Sequence, residues 1–152
     1  IFNPELSHLI IHHFFVAKSA KMLRDKGIIA MILPQFFLDN TKDHARNIIN
    51  ESGVNLILAY RLPDNLFADA KITVDLVFLQ KTEKLFEWQS TRQTKIGKYS
   101  KPMNEYFCDN PHHILGELQI VPMYKRMGIT CKSNGDLRMQ LAGVYSKIKK
   151  IL

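Results

Sequence analysis

The spacings in this chain that could do chemistry begin with His8 and His12, which share a helix face at i and i+4. A zinc-protease helix places two histidines this way, but it also needs a glutamate base beside the first, and Leu9 stands there. His112-His113 supplies two imidazoles and no ligand set to complete them. Cys108 and Cys131 show no metal-ligand spacing, and two thiols so far apart in a basic chain fit a reducing cytoplasm. Serine, histidine and aspartate all occur, yet no G-x-S-x-G elbow presents a nucleophile. Neither a metal site nor a hydrolase triad is therefore expected.

Charge says more. Asp75 interrupts an apolar stretch, and a carboxylate buried there requires a partner. Arg61, on the preceding apolar stretch, is the expected one. The net charge is +7. Residues 1–81 hold nine Lys and Arg against eight Asp and Glu, whereas residues 82–152 hold twelve against six. Nearly all the excess lies in the second half, which points either to nucleic acid or to a well-solvated surface. Arg92, Lys95, Lys98 and Lys101 could contact phosphates, which would position DNA without reading its sequence. Lys147, Lys149 and Lys150 could do the same, or could solvate a helix end and favour its dipole.

The elements that must position these residues follow from hydrophobic period. Asn3-Pro4-Glu5 opens a helix with a capping Asn, a first-position Pro and an acid in the first turn. Leu6, Leu9, Ile10, Phe14 and Ala17 recur at helical spacing, and Gly27 follows Lys26 as a stop. Ile11, Phe15 and Met22 widen the apolar face, so cover on more than one side is expected. Residues 28–33 form an unbroken apolar run ended by Pro34, the pattern of a buried parallel strand. Asn40 with Asp43 resembles a capping box for a second helix that turns Ala45, Ile48 and Ile49 to the core and ends at Gly53. Residues 54–62 and 73–80 are strands joined by too few residues for a crossover helix, so they should pair antiparallel.

Beyond Lys81 the pattern weakens. Residues 95–101 read as a basic loop, residues 110–116 as a single helical turn, and residues 128–132 as a short strand. Leu137, Leu141, Val144, Ile148 and Ile151 mark a closing helix whose stripe suits core packing better than a dimer seam. No apolar run approaches the roughly 20 residues that a bilayer span needs. Residues 9–16 are broken by His12 and His13, so they do not read as a signal peptide. The chain opens at Ile1 directly on a helix signal, and a preceding segment is expected.

Several of these segments together resemble a known family. They are Leu38-Asp39, Arg46, the run Arg61-Leu62-Pro63-Asp64-Asn65-Leu66-Phe67-Ala68-Asp69-Ala70, and then Thr73, Asp75 and Phe78-Leu79-Gln80-Lys81. They are similar to the late motifs of N6-adenine DNA methyltransferases, in the form found in very large bacterial methylase–helicase polypeptides of phages, plasmids and other mobile elements. Met22-Leu23-Arg24-Asp25-Lys26-Gly27 before an apolar strand fits the same family just after its catalytic loop. Asn104-Glu105-Tyr106-Phe107, Asp109-Asn110-Pro111 and Leu115-Gly116-Glu117 resemble the segment that follows the methyltransferase module.

The resemblance implies an α/β chain: a partial Rossmann-like methyltransferase fold over residues 1–84, then a small α+β extension, basic and linker-like, over residues 85–152. Residues 28–33, 54–62 and 73–80 would be the fifth, sixth and seventh strands, with the seventh between the other two. Ligands of such sheets sit beyond the carboxyl ends of the parallel strands. The candidate substrate or DNA contacts there are Gln35, Arg61, Asp64, Phe67, Lys71 and Thr73, with Arg92, Lys95, Lys98 and Lys101 in the extension. Residues 66–73 would help form the target-base side of the pocket. The alternative is that Phe67 and Ala70 simply close the core under a loop.

Two parts of the methyl-transfer machinery are not in these residues. The seven glycines form no G-x-G turn for S-adenosylmethionine, and Asn3-Pro4-Glu5-Leu6 lacks the second proline and the aromatic of a (D/N)PP(Y/F) loop. No catalytic or cofactor-binding residue is expected in this chain. The complete domain would use S-adenosylmethionine; the chain alone would use no cofactor. The expected partners are DNA and whatever covers residues 28–33, either the missing N-terminal half or a second copy, and no membrane. The alternative function is a non-catalytic DNA- or protein-binding remnant of a split methyltransferase.

Overall fold

The long apolar runs become strands, and the computed structural model shows what they leave uncovered. It describes residues 6–68, 72–84, 86–123 and 125–151. The Asn3-Pro4-Glu5 cap, Asp69, Ala70 and Lys71 lie outside them. Helix α1 (Ile11–Met22) precedes strand β1 (Ile28–Pro34), a short helix α2 (Phe36–Asp39), helix α3 (His44–Glu51) and strands β2 (Val54–Leu62) and β3 (Val74–Lys81). The second half holds a hairpin of β4 (Thr91–Ile96) and β5 (Tyr99–Asn104), a short helix α4 (Glu105–Asp109) and a 3-10 turn at Pro111–His113. A second hairpin, β6 (Glu117–Met123) and β7 (Arg126–Lys132), leads to helix α5 (Leu137–Ile151). The fold is mixed α/β with antiparallel sheets.

The main sheet has the order β1-β3-β2, and β3 runs antiparallel to both neighbours. β1 and β2 are therefore parallel to each other, with the reversed strand inserted between them. Because side chains alternate across a strand, the sheet sorts its residues into two cores. Ile29, Leu33, Ala59, Val77 and Leu79 face Val16, Ala17 and Ala20 of α1 and Ile49 of α3. On the opposite face, Leu58, Tyr60, Leu62, Val74 and Phe78 receive Leu137, Leu141, Val144 and Ile148 of α5. The closing helix thus spends its stripe on the core, as its spacing suggests.

Both cores draw on the extension. Ile96, Met103, Phe107 and Ile129 belong to the first, and Leu115 and Val144 to the second. Residues on both sides of the 84/85 boundary thus share the same two cores.

Four expectations need correction. The first is the parallel, buried strand: β1 pairs antiparallel with β3 and is the sheet's outer strand. α5 reaches β2 and β3 only, so Ile28, Ala30 and Ile32 stay exposed. Second, α1 is covered on one side: Ile11, Phe15 and Met22 are 72%, 57% and 77% exposed. Third, no capping box forms at Asn40 and Asp43. Asn40 Oδ1 instead accepts from Lys42 N–H, and Asp43 makes no side-chain cap bond. Fourth, residues 95–101 are a hairpin rather than a loop. Gly97, at φ +59°, makes the tight turn between β4 and β5. Strands this polar on both faces carry no hydrophobic alternation to betray them.

Candidate functional site

The carboxyl ends of β1 and β2 lie at one end of the sheet, and most of the sequence candidates are there. Arg61 and Asp75 are directly opposite in the β2–β3 register. Arg61 donates from Nε and Nη2 to the two carboxylate oxygens of Asp75, at 2.9 and 3.0 Å. Its Nη1 lies 2.9 Å from Asp39 Oδ2. The guanidinium carbon lies 4.3 Å from the centre of the Phe107 ring, so a cation–π contact closes the remaining face.

Burial opposes the charge on Arg61, but Asp75 and then Asp39 outweigh it and hold the guanidinium's pKa above its ordinary value. For Asp75, burial is the larger effect and pushes the carboxyl above its ordinary value against the pull of Arg61. Arg61 and Asp75 are both inaccessible to solvent, so their pairing ties two strands together and contacts no ligand.

Asp39 extends this cluster to the second half. Its Oδ1 accepts from the backbone N–H of Asn104, whose side-chain amide donates to Leu38 O and Gln89 O. Arg46 likewise works internally: it donates to the carbonyls of Phe37, Leu38 and Asn40 and so caps the end of α2. A buried arginine at that spot explains how a four-residue helix survives without a hydrophobic stripe of its own.

Gln35, Asp64 and Thr73 converge on one strand, and it belongs to the extension. Gln35 Nε2 donates to Ile129 O at 2.6 Å, and Thr73 Oγ1 accepts from Cys131 N–H at 3.0 Å. Asp64 donates its backbone N–H to Cys131 O, and its Oδ2 accepts from Thr130 Oγ1 at 2.8 Å and from Lys132 Nζ at 2.6 Å. Burial works to raise the Asp64 pKa, but the bonds from Lys132 and Thr130 prevail and hold it below the usual carboxylate value. These three polar residues, expected as substrate contacts, thus dock β7 across the ends of β1, β2 and β3. Cys131, beneath them, has its thiol pushed up to about 12 by burial, which makes it an inert core residue.

Phe67 is the candidate that stays free. It is 46% exposed, on a loop that with Lys132 and Ser133 encloses a cleft of about 460 Å³. Lys71 lies outside the described residues. The four basic candidates of the extension do not form one surface. Arg92 and Lys101 lie on one face of the β4–β5 hairpin, Lys95 on the other, and Lys98 at the turn over the Tyr99 ring. Arg92 is further neutralised by Asp109 at 2.7 Å.

Sequence reasoning missed Asp39, Phe107, Thr130 and Lys132. Asp39 and Phe107 stand in the sequence only as parts of longer motifs, and Thr130 and Lys132 only as parts of a short strand. Their partners lie 22 to 68 residues away, so no local pattern marks them. Among the described residues, no group of three or more His, Cys, Asp or Glu could hold a metal ion. His8 does not pair with His12; its Nε2 meets His44 Nε2 at 2.7 Å on the surface. No described helix is long and apolar enough to cross a membrane. Comparisons with protein-family models, curated proteins and solved structures find no match.

Proposed function

We propose that this chain is the C-terminal part of an S-adenosylmethionine-dependent DNA adenine N6-methyltransferase of the restriction-modification or anti-restriction kind. In this reading it supplies the end of a Rossmann-like sheet, while the cofactor turn and the catalytic loop come from another segment or a partner. The observation that carries the reading is the sheet order β1-β3-β2, with a reversed strand between two parallel ones. A methyltransferase sheet of this family ends the same way. The motif residues Arg61 and Asp75 lock that reversed strand in register.

The open edge of β1 is the second support. Gly27 and Lys81 are bonded at one end of the β1–β3 ladder, and Gln35 and Thr73 at the other. Antiparallel alternation then turns the backbone of Ile29, Met31 and Leu33 toward β3 and leaves that of Ile28, Ala30 and Ile32 facing out. Ile28 and Ile32 are 39% and 54% exposed. An apolar unpaired edge of this kind invites another strand. In this reading it is where the cofactor-bearing half joins the sheet. In isolation a second copy takes its place.

The test is complementation. Joined to a segment carrying a G-x-G turn and a (D/N)PP(Y/F) loop, the chain should support methyl transfer from S-adenosylmethionine to adenine N6 in DNA, and alone it should not. The competing reading, a non-catalytic remnant that binds DNA or protein, draws on the same open edge and on the basic second half. It predicts DNA or protein binding with no methyl transfer in any combination.

A further inference from the structure

A second cleft, of about 330 Å³, opens at the start of β2, between the chain that follows β3 and helix α4. Its volume is at the lower end of the range that takes small organic ligands. Three rings line it: Phe86, Trp88 and Tyr106. Two of them spend their polar atoms inside the protein. Trp88 Nε1 donates to Val54 O at 3.1 Å, and Tyr106 Oη accepts from Ala59 N–H at 3.1 Å and meets His113 Nδ1 at 2.8 Å. Asn55, on the same wall, is saturated as well: its Nδ2 donates to Thr82 Oγ1 and Lys84 O, and its Oδ1 accepts from Phe86 N–H. These residues therefore offer a ligand carbon and π-surface rather than hydrogen bonds. Phe86 is 52% exposed, so its ring is open to a ligand. Among the described residues that line the cleft, Glu87 is the one with a full charge; it is exposed and forms no ion pair with another described residue.

Rings with a carboxylate beside them attract cations, because the face of each ring is its negative part. The structure already holds one instance: Lys84 Nζ lies 5.3 Å from the centre of the Phe86 ring. A primary ammonium has three N–H groups to satisfy and gives up its water only at a cost. A quaternary ammonium has none and spreads its charge over methyl groups, so a cleft walled chiefly by rings suits it better. We propose that this cleft binds a small quaternary ammonium cation, with its methyl groups against Phe86, Trp88 and Tyr106 and its charge opposite Glu87. Lys84 is then the chain's own competitor for the Phe86 ring. The net charge of +7 opposes any cation at long range, but salt screens that repulsion beyond about 10 Å, and the contacts in the cleft are shorter. The site stands at the opposite end of β2 from Arg61 and Asp64, so it is independent of the methyltransferase reading.

Trp88 is the only tryptophan in the sequence, so its fluorescence reads the cleft directly. The experiment titrates the chain with choline and with 3,3-dimethylbutan-1-ol, an alcohol of the same shape without the charge. Choline should change the Trp88 emission saturably and bind about 10-fold more tightly than the alcohol, the scale of a cation–π contact at a partly desolvated ring. Phe86→Leu keeps an apolar side chain at an exposed position and removes the ring, so it should cut that preference several-fold. Glu87→Gln should weaken choline and leave the alcohol unchanged. Lys84→Gln, which removes the competitor, should strengthen choline alone. Equal affinity for the two ligands overturns the proposal, and so does an emission change with choline that never saturates. A preference for choline that survives both Phe86→Leu and Glu87→Gln overturns it as well, since the cation would then be bound elsewhere.

Discussion

Substituting Asp75→Asn should destabilise the chain by about 3 kcal/mol, and the structure says why the figure is neither smaller nor much larger. Arg61 is fully buried and gives two of its bonds to Asp75. Asparagine keeps one acceptor but turns an amide N–H toward a guanidinium N–H, so one bond becomes a repulsion. Breaking a buried ion pair from one side costs roughly 3–5 kcal/mol, because a charge is left without its partner. Asp39 stays 2.9 Å from Nη1 and Phe107 still covers the cation, which places the loss at the lower end.

The paired removal is the sharper test. Burial pushes the Asp75 carboxyl up against the pull of Arg61, so desolvation offsets much of what the pair gains. Replacing both partners, Arg61→Met with Asp75→Leu, should therefore restore most of the stability that either single change removes, with Asp39 still bonded to Asn104 N–H. Urea denaturation of the four proteins in a double-mutant cycle measures this. For a chain of this length, about 3 kcal/mol corresponds to a fall in melting temperature of roughly 6–12 °C. A loss under about 1 kcal/mol for Asp75→Asn, or a double variant as unstable as the sum of the singles, would refute the reasoning.

Ile32→Lys, a charge on the open edge, should abolish self-association, and sedimentation of both proteins at the same concentrations checks it; a wild type that stays monomeric defeats the edge argument. Thr130→Val should cost about 1–2 kcal/mol in urea, since the buried hydroxyl bonds Asp64 and meets Thr73 Oγ1 at 3.3 Å. His13 is held down to about 4, by burial first and then by His12 and Arg46. Its stabilising contribution is therefore fully present above about pH 6.5 and is lost as pH falls from there toward 4. The stability difference between wild type and His13→Phe should shrink or reverse across that window, and a difference independent of pH contradicts the assignment.

The sheet was legible because its strands are long apolar runs with hard stops. Pro34 and Pro63 close two of them, and Asp75, a single carboxylate in the third, announces its need for Arg61. The stripe of α5 was legible for the same reason. What escaped is what carries no period. β4 and β5 carry polar residues on both faces, and α2 stands because Arg46 caps it from the next helix. The docking of β7 escaped for a different reason: Gln35 and Ile129 are 94 residues apart and meet through a backbone carbonyl that any residue would supply. Gln35, Asp64 and Thr73 were placed at the right edge by strand order, but their partner there is the chain itself.

The most direct test of the central claim is calorimetric titration with S-adenosylmethionine, run on this chain alone and on the chain joined to a segment bearing the G-x-G and (D/N)PP(Y/F) motifs. The account predicts no heat from the first and stoichiometric binding from the second, followed by methyl transfer to adenine N6. Stoichiometric binding by the chain alone, or a joined protein that neither binds nor methylates, would contradict it.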